Sequence, residues 1–218
     1  MVRAFAAGGW QVVAGIHESE PGWEREGVVR VRLDVRGGQS CRQGIGWVVE
    51  RFGRVDCLVN NAGLNRDGLL SRLGEEDWDE VLGVNLGGAM RCAREVIPCM
   101  LKQRDGHIIN VSSFAARRGT LGQSAYVSAK AGLLGLTQAL AREVGSRNVR
   151  VNAVLPGVLR TGMTGGLPEE RLDAMAGENV LGRLNDLDEV AGFVRFLAGM
   201  RDVSGQVFQL DSRIAPWT

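Results

Sequence analysis

Six short runs rich in valine, isoleucine and leucine recur along this 218-residue sequence, and longer stretches of helical periodicity separate them. This alternation constrains the fold more than any other feature. The runs are Trp10–Ala14, Val28–Leu33, Val55–Asn60, His107–Ser112, Val149–Leu155 and Gln206–Leu210. Helical patterns fall near Gln39–Phe52, Glu75–Gln103, Ser124–Ser146, Pro168–Glu178 and Asp188–Ala198. Strands joined through helices form βαβ units, so the pattern predicts an α/β fold: a doubly wound parallel sheet with helices on both faces. Near-continuous apolar runs such as "VDCLVN" fit strands covered on both sides. No internal repeat, low-complexity segment or linker divides the chain, so residues 1–218 read as one domain, long enough to bury a sizeable core.

Local punctuation sharpens the pattern. Ala4–Ala7 read as the tail of a helix, and Gly8-Gly9 as its stop. Glu75, Glu76 and Asp77 crowd a helix N-terminus, where negative charge suits the dipole. Gly53 is placed to end the helix before the third strand. Pro98 is expected to kink or shorten the long Glu75–Gln103 pattern. Asn85 sits inside that same pattern, followed shortly by Gly87-Gly88, a combination poor for a helix that predicts a local distortion.

Composition excludes several classes. The net charge of +1 offers no basic surface for nucleic acid. No apolar run approaches the length of a transmembrane helix, and the first residues do not form a signal peptide. Cys41, Cys57, Cys92 and Cys99 form no CxxC pair, and His17 and His107 lie far apart, so no metal site is expected. The expectation is a cytoplasmic protein with reduced thiols.

The chemistry concentrates in "SSFAARRGTLGQSAYVSAKAG". Tyr126 and Lys130 are four residues apart and share one helix face. An ammonium beside a phenol favours the phenolate, so Lys130 is expected to lower the Tyr126 pKa and make it a usable proton donor. Ser113, thirteen residues before Tyr126, ends a strand, at the edge where α/β sheets place ligands. A second signal is "LVNNAG", Leu58–Gly63, where Asn60 and Asn61 are suited to capping backbone groups and Gly63 to close backbone approach. A third is the Pro156-Gly157 turn in "LPGVLRTGMT". Plain alternatives stand beside three of these features: a solvated helix face for Tyr126 and Lys130, an asparagine-rich turn for Leu58–Gly63, and a surface residue on a loose helix for Asn85.

Together these segments resemble the short-chain dehydrogenase/reductase family, from Ala4 to Asp211, with its single-domain Rossmann-type fold. The resemblance implies a catalytic set of Asn85, Ser113, Tyr126 and Lys130. Tyr126 would be the general acid/base and Ser113 would orient the carbonyl. Lys130 would hold the nicotinamide ribose, and Asn85 a water linking Lys130 to solvent. It implies cofactor contacts from Asp34 on the adenine side, from Asn60, Ala62 and Gly63, from Tyr126 and Lys130, and from Pro156, Gly157 and Thr161. Within the family, "LNRDGLLSRLGEEDWDEVLGVNL" and "AREVGSRNVRVNAVLPG" are similar to β-ketoacyl-[acyl-carrier-protein] reductases, with acetoacetyl-CoA reductases close behind. That implies reduction of a 3-oxoacyl thioester of acyl carrier protein or CoA, and a homo-oligomer, usually a tetramer. Arg104 and Arg147 match arginines that meet the acidic carrier protein. The usual D-G-G ending is changed at Ser212-Arg213.

The resemblance also implies a central first strand and a T-G-x-x-x-G-x-G turn ahead of the helix at Met1, and neither is in this sequence. Gly44-Ile45-Gly46 does not replace that turn, because it falls within a helix after the family's third strand. With the strand order 3-2-1-4-5-6-7, the strands at Trp10–Ala14 and Val55–Asn60 are expected to flank a slot about 9–10 Å wide. Its unpaired edges would each lose about 1–3 kcal/mol per buried group, against a total stability of about 5–15 kcal/mol. Two readings stand: Met1 is internal to a longer protein that starts about 20–25 residues earlier, or the shortening is real. Cofactor preference leans to NADP(H) over NAD(H), because Gly15 stands where an Asp would take the ribose hydroxyls. The rival function is a non-catalytic subunit that pairs with a full-length paralogue, and a third is a reductase of another small carbonyl.

Overall fold

The computed structural model describes residues 1–17 and 27–214. Six strands are present among them: β1 (Val12–Ile16), β2 (Val28–Arg32), β3 (Cys57–Asn60), β4 (Gly106–Val111), β5 (Val149–Leu155) and β6 (Val207–Gln209). The α-helices are α1 (Val2–Ala7), α2 (Gly38–Phe52), α3 (Glu75–Leu82), α4 (Gly88–Gln103), α5 (Ala115–Arg118), α6 (Ser124–Val144), α7 (Glu169–Gly177) and α8 (Leu187–Ala198). Every strand pair is parallel, as the βαβ reading requires.

The strands form two ladders, β1-β2 and β3-β4-β5-β6, and no ladder joins β1 to β3 among the described residues. The break lies where the sequence predicts a missing central strand. All of β4 and β5 is buried, whereas β3 is only half-buried along its length.

Alternate residues of the central strands serve opposite layers, the direct consequence of the period-2 strand. Ile108 of β4 packs with Cys41 and Ile45 of α2 and Cys92, Val96 and Met100 of α4. Ile109 and Val111 face the other way, towards Phe5 of α1 and Val194, Leu197 and Ala198 of α8. Helices therefore cover both faces.

The punctuation holds with three corrections. Gly53 adopts φ 73° and caps α2, and Gly8 caps α1. Gly44 lies inside α2, where a Cβ would come within 3.0 Å of Leu33, so its role is close packing. The first strand is shifted from Trp10–Ala14 to Val12–Ile16, because Trp10 packs edge-on against Phe5 with ring centroids 5.3 Å apart. His17, not Gly15, thus follows the strand. Pro98 does not shorten its helix: α4 continues to Gln103. The long Glu75–Gln103 pattern is instead interrupted at Gly83–Gly87, a π-helical turn centred on Asn85.

Candidate active site

Three elements meet at the carboxyl end of β4. Ser112 Oγ donates to the Lys130 carbonyl at 2.7 Å and locks α6 against the strand. Lys130 Nζ in turn donates to the Val111 carbonyl at 2.8 Å. One helical turn earlier, Tyr126 presents its ring with the centroid 5.7 Å from that ammonium. The Ser113 side chain lies beside the Tyr126 hydroxyl, and Ser113 Oγ accepts from the Ala115 amide at 3.2 Å. Ser113, Tyr126 and Lys130 therefore form one cluster, as the spacing predicts.

The electrostatics differ from the expectation. Burial pushes the Tyr126 phenol above its ordinary value, and the neighbouring Ser113 hydroxyl only partly opposes it. The Lys130 ammonium donates to a backbone carbonyl rather than to the phenol. Burial brings Lys130 itself down to about 8.

The π-turn delivers the fourth residue. A π-bulge inserts an extra residue into a helix and re-aims its side chains, often at functional sites. Asn85 is 1% exposed, and its Nδ2 donates to the Leu64 and Val81 carbonyls at 2.8 and 2.9 Å. Its Oδ1 is buried with no partner. A Cβ on Gly63 would lie 2.7 Å from that oxygen and 3.4 Å from Lys130 Nζ. Gly63 thus leaves open a polar cradle that any side chain would fill, and the neighbouring Ala62 is exposed beside it.

Two loops complete this edge. Gly157 has φ 79°, which favours glycine, and packs against Asn185 and Asp211. Thr161 is exposed, and it lines a shallow depression with Arg160, Thr164, Leu167 and Leu172.

Other candidates lie elsewhere or are engaged. Asn60 does not cap a turn: its Nδ2 donates to Asn110 Oδ1 at 2.9 Å, and Asn110 donates to Thr137 Oγ1 at 2.9 Å, tying β3 and β4 to α6. Asp34 follows β2, with its carboxylate gripped by Arg36 Nε at 3.0 Å and His17 Nε2 at 3.1 Å. Arg36 holds it down at about 2. Arg104 ends α4 and Arg147 precedes β5. Both lie at the amino edge of the sheet, opposite Ser113 and about 20 Å away across the six residues of β4. The roles of Ser112 and Asn110 were not read from the sequence: the adjacent serines and the Asn60–Asn110 register were the only signals available.

A nicotinamide cofactor fits these residues in part. The open cradle at Gly63, the orphaned Asn85 oxygen and the buried ammonium suit a ribose bearing hydroxyls. The pyrophosphate has no matching turn, because the sequence contains no G-x-x-x-G-x-G or G-x-G-x-x-G segment.

The profile of a family described as enoyl-(acyl carrier protein) reductase matches residues 1–212. Among curated proteins, the 3-oxoacyl-[acyl-carrier-protein] reductase FabG of Thermotoga maritima is 44% identical over 181 residues, which cover 82% of this chain and 74% of that protein. The enzyme of the same name from Vibrio cholerae is 43% identical over 166 residues, covering 76% and 68%. That of Staphylococcus epidermidis is 40% identical over 183 residues, covering 83% and 75%. With parallel strands, covered sheet faces and a Ser–Tyr–Lys cluster at the strand ends, the chain belongs to the short-chain dehydrogenase/reductase family of NAD(P)-dependent oxidoreductases.

Proposed function

We propose that this chain reduces a 3-oxoacyl thioester, carried on acyl carrier protein or CoA, to the 3-hydroxyacyl thioester, with NADP(H) as the preferred cofactor. The observation that carries this is the cluster of Ser113 at the end of β4 with Tyr126 and a buried Lys130 one turn apart on α6, the ammonium 5.7 Å from the Tyr126 ring, at the carboxyl edge of the sheet. The names of the relatives support the substrate class.

When bound, the nicotinamide supplies the hydride that reaches the carbonyl carbon. The rest falls to this chain's residues. The Ser113 hydroxyl donates to the carbonyl oxygen and orients it. Tyr126 donates to the same oxygen and delivers its proton there. Lys130 holds the ribose hydroxyls, and in leaving the Val111 carbonyl for them it brings its charge to bear on the phenol. Asn85 Oδ1 holds a water through which Lys130 exchanges protons with solvent.

Ala62 and Gly63 line the ribose; Pro156, Gly157 and Thr161 line the nicotinamide; Asp34 and Asn60 support the adenosine side. The preference for NADP(H) no longer rests on Gly15. It rests on His17, which directly follows β1 where an NAD enzyme would place an acid; the nearby Asp34 carboxylate is held by Arg36 and His17. Arg104 and Arg147 are assigned to the acidic carrier protein. Since they lie on the edge opposite Ser113, a carrier docked there serves another protomer of a homo-tetramer. The proposed compartment is the cytoplasm; no described helix is long and apolar enough to cross a membrane.

The test is reduction of acetoacetyl-CoA with NADPH by the wild type and by Tyr126→Phe. Turnover lost in the variant, with unchanged circular dichroism, supports the mechanism; turnover kept overturns it. The separation of the β1-β2 ladder from β3-β4-β5-β6 favours a second reading, a non-catalytic subunit that pairs with a full-length paralogue. No NADPH binding by a folded wild-type chain selects that reading.

A further inference from the structure

We propose that Arg213 is a positioning residue: it holds Phe114, and through it Ser113, in register with the loop that runs from the Pro156-Gly157 turn to the end of α7. The catalytic half of this inference rests on the reductase reading above; the mechanical half does not.

Arg213 stands where the family ending carries a glycine, so the sequence alone gives it no role. The guanidinium lies over the Phe114 ring, 4.0 Å from the centroid. At that distance a cation and a ring face attract, more strongly when both are desolvated. Phe114 is 5% exposed and the Arg213 side chain 12%. The guanidinium is also fixed from behind: Nε donates to Asp211 Oδ2 at 2.7 Å, and Nη2 pairs with the same carboxylate. The Asp211 side chain is fully buried, and Gln209 Nε2 donates to its Oδ1 at 2.7 Å. Arginine is suited to this arrangement because one planar fork can pair with a carboxylate and stack on a ring at once.

The same short segment grips the loop. Arg213 Nη1 is 3.8 Å from Glu178 Oε2, just past α7, and Arg118 Nη1 reaches that oxygen at 3.2 Å from the end of α5. The Val180 amide donates to the Ser212 carbonyl at 3.2 Å. Gly157 packs so closely on Asp211 that a Cβ would come within 2.8 Å of the Asp211 Cβ. Phe114 is the residue after Ser113 and the N-cap of α5, so fixing its ring holds the backbone from which the Ser113 side chain projects. One guanidinium therefore joins the oxygen-orienting serine to both ends of the loop beside it.

The experiment compares Arg213→Ala and Arg213→Lys with the wild type by backbone hydrogen exchange and by steady-state kinetics. Arg213→Ala is expected to speed exchange at least tenfold in residues 113–119 and in residues 169–181 together. It should also lower kcat about tenfold and raise the KM for acetoacetyl-CoA several-fold, leaving the KM for NADPH unchanged. Arg213→Lys, which keeps the charge but not the fork, should recover part of both. Exchange that rises only at residues 211–214, or unchanged kcat and KM in an active enzyme, would overturn the proposal. If the wild type shows no turnover, the reductase reading fails, and the exchange result alone decides the mechanical coupling. Should Arg213→Ala not fold, Phe114→Leu removes the ring and keeps the apolar contact. The same paired rise in exchange is then required.

Discussion

His107 cannot accept a proton without breaking the packing around β4, and this gives the chain a defined acid sensitivity. The residue is wholly buried, and its Nε2 lies 2.8 Å from Asn152 Nδ2. Asn152 cannot turn its oxygen to that position: its Oδ1 already accepts from the Gln206 amide at 2.9 Å, and its Nδ2 also donates to the Val203 carbonyl at 2.7 Å. So Nε2 is the acceptor, the ring proton is on Nδ1, and a second proton would set N–H against N–H. Burial, aided by the nearby Arg150 charge, lowers the His107 pKa from 6.5 to about 4. The sign follows: the unfolded chain binds this proton first, so the stability is complete above pH 6.5 and is lost as pH falls towards 4. A full shift of this size corresponds to about 3 kcal/mol. At pH 4.5 about 2.5 kcal/mol of it is gone, which lowers Tm by roughly 5–10 °C in a domain of this length. Asp34 and Asp105, both held low by arginines, lose their contributions only below about pH 4 and leave this window clean. The assay is thermal unfolding from pH 7.5 to 4.5 for the wild type and for His107→Gln, which keeps polar capacity without titrating. A flat wild-type profile, or an equal fall in both proteins, refutes the argument.

Three other outcomes are expected. Gly63→Ala places a methyl 2.7 Å from Asn85 Oδ1, and Asn85 is pinned by two hydrogen bonds. It should cost about 1–3 kcal/mol in denaturant unfolding and abolish NADPH binding by fluorescence titration. With Lys130 at about 8, kcat/KM for the reduction should fall as pH rises through that value, because the ammonium form is the one that holds the ribose. Cys92, pushed up to about 12 by burial, and the fully buried Cys41 should resist Ellman's reagent at pH 8, while the partly exposed Cys99 reacts first. Fast reaction of all four in the native protein would show that the core opens readily.

What the sequence reveals and what it hides divide along physical lines. Strands β2 to β6 were legible because buried parallel strands are continuous apolar runs. Trp10 was misread because a β-prone aromatic looks the same whether it extends a strand or plugs the gap under α1. The distortion at Asn85 was legible from glycines placed where a helix does not favour them. The Tyr126 pKa was not, because a four-residue spacing reports proximity to Lys130 and says nothing of burial. The partner of Asn60 is not legible in the sequence, because Asn110 is fifty residues away and is brought to it only by strand register. The separation of Arg104 and Arg147 from Ser113 was available from topology: in a parallel sheet, residues that precede strands and residues that follow them lie on opposite edges.

The break between β1 and β3 also explains how a catalytic cluster stays intact beside an interrupted sheet. Ser113 leaves β4, Tyr126 and Lys130 ride on α6, Asn85 sits in the turn before α4, and Gly63 follows β3. All of these belong to the four-stranded ladder or pack on it. The hydrogen bonds that fix them run among β4, α6, the 63–64 turn and α3. None reaches β1 or β2. The two-stranded ladder carries the other group of charges, His17, Asp34 and Arg36 at its carboxyl end. The Ser113, Tyr126, Lys130 and Asn85 cluster and the His17, Asp34 and Arg36 group are thus held by separate sets of contacts. On the proposed assignment, disturbing β1–β2 is expected to weaken NADPH binding before it disturbs the Ser113, Tyr126, Lys130 and Asn85 cluster, and disturbing α6 to do the reverse.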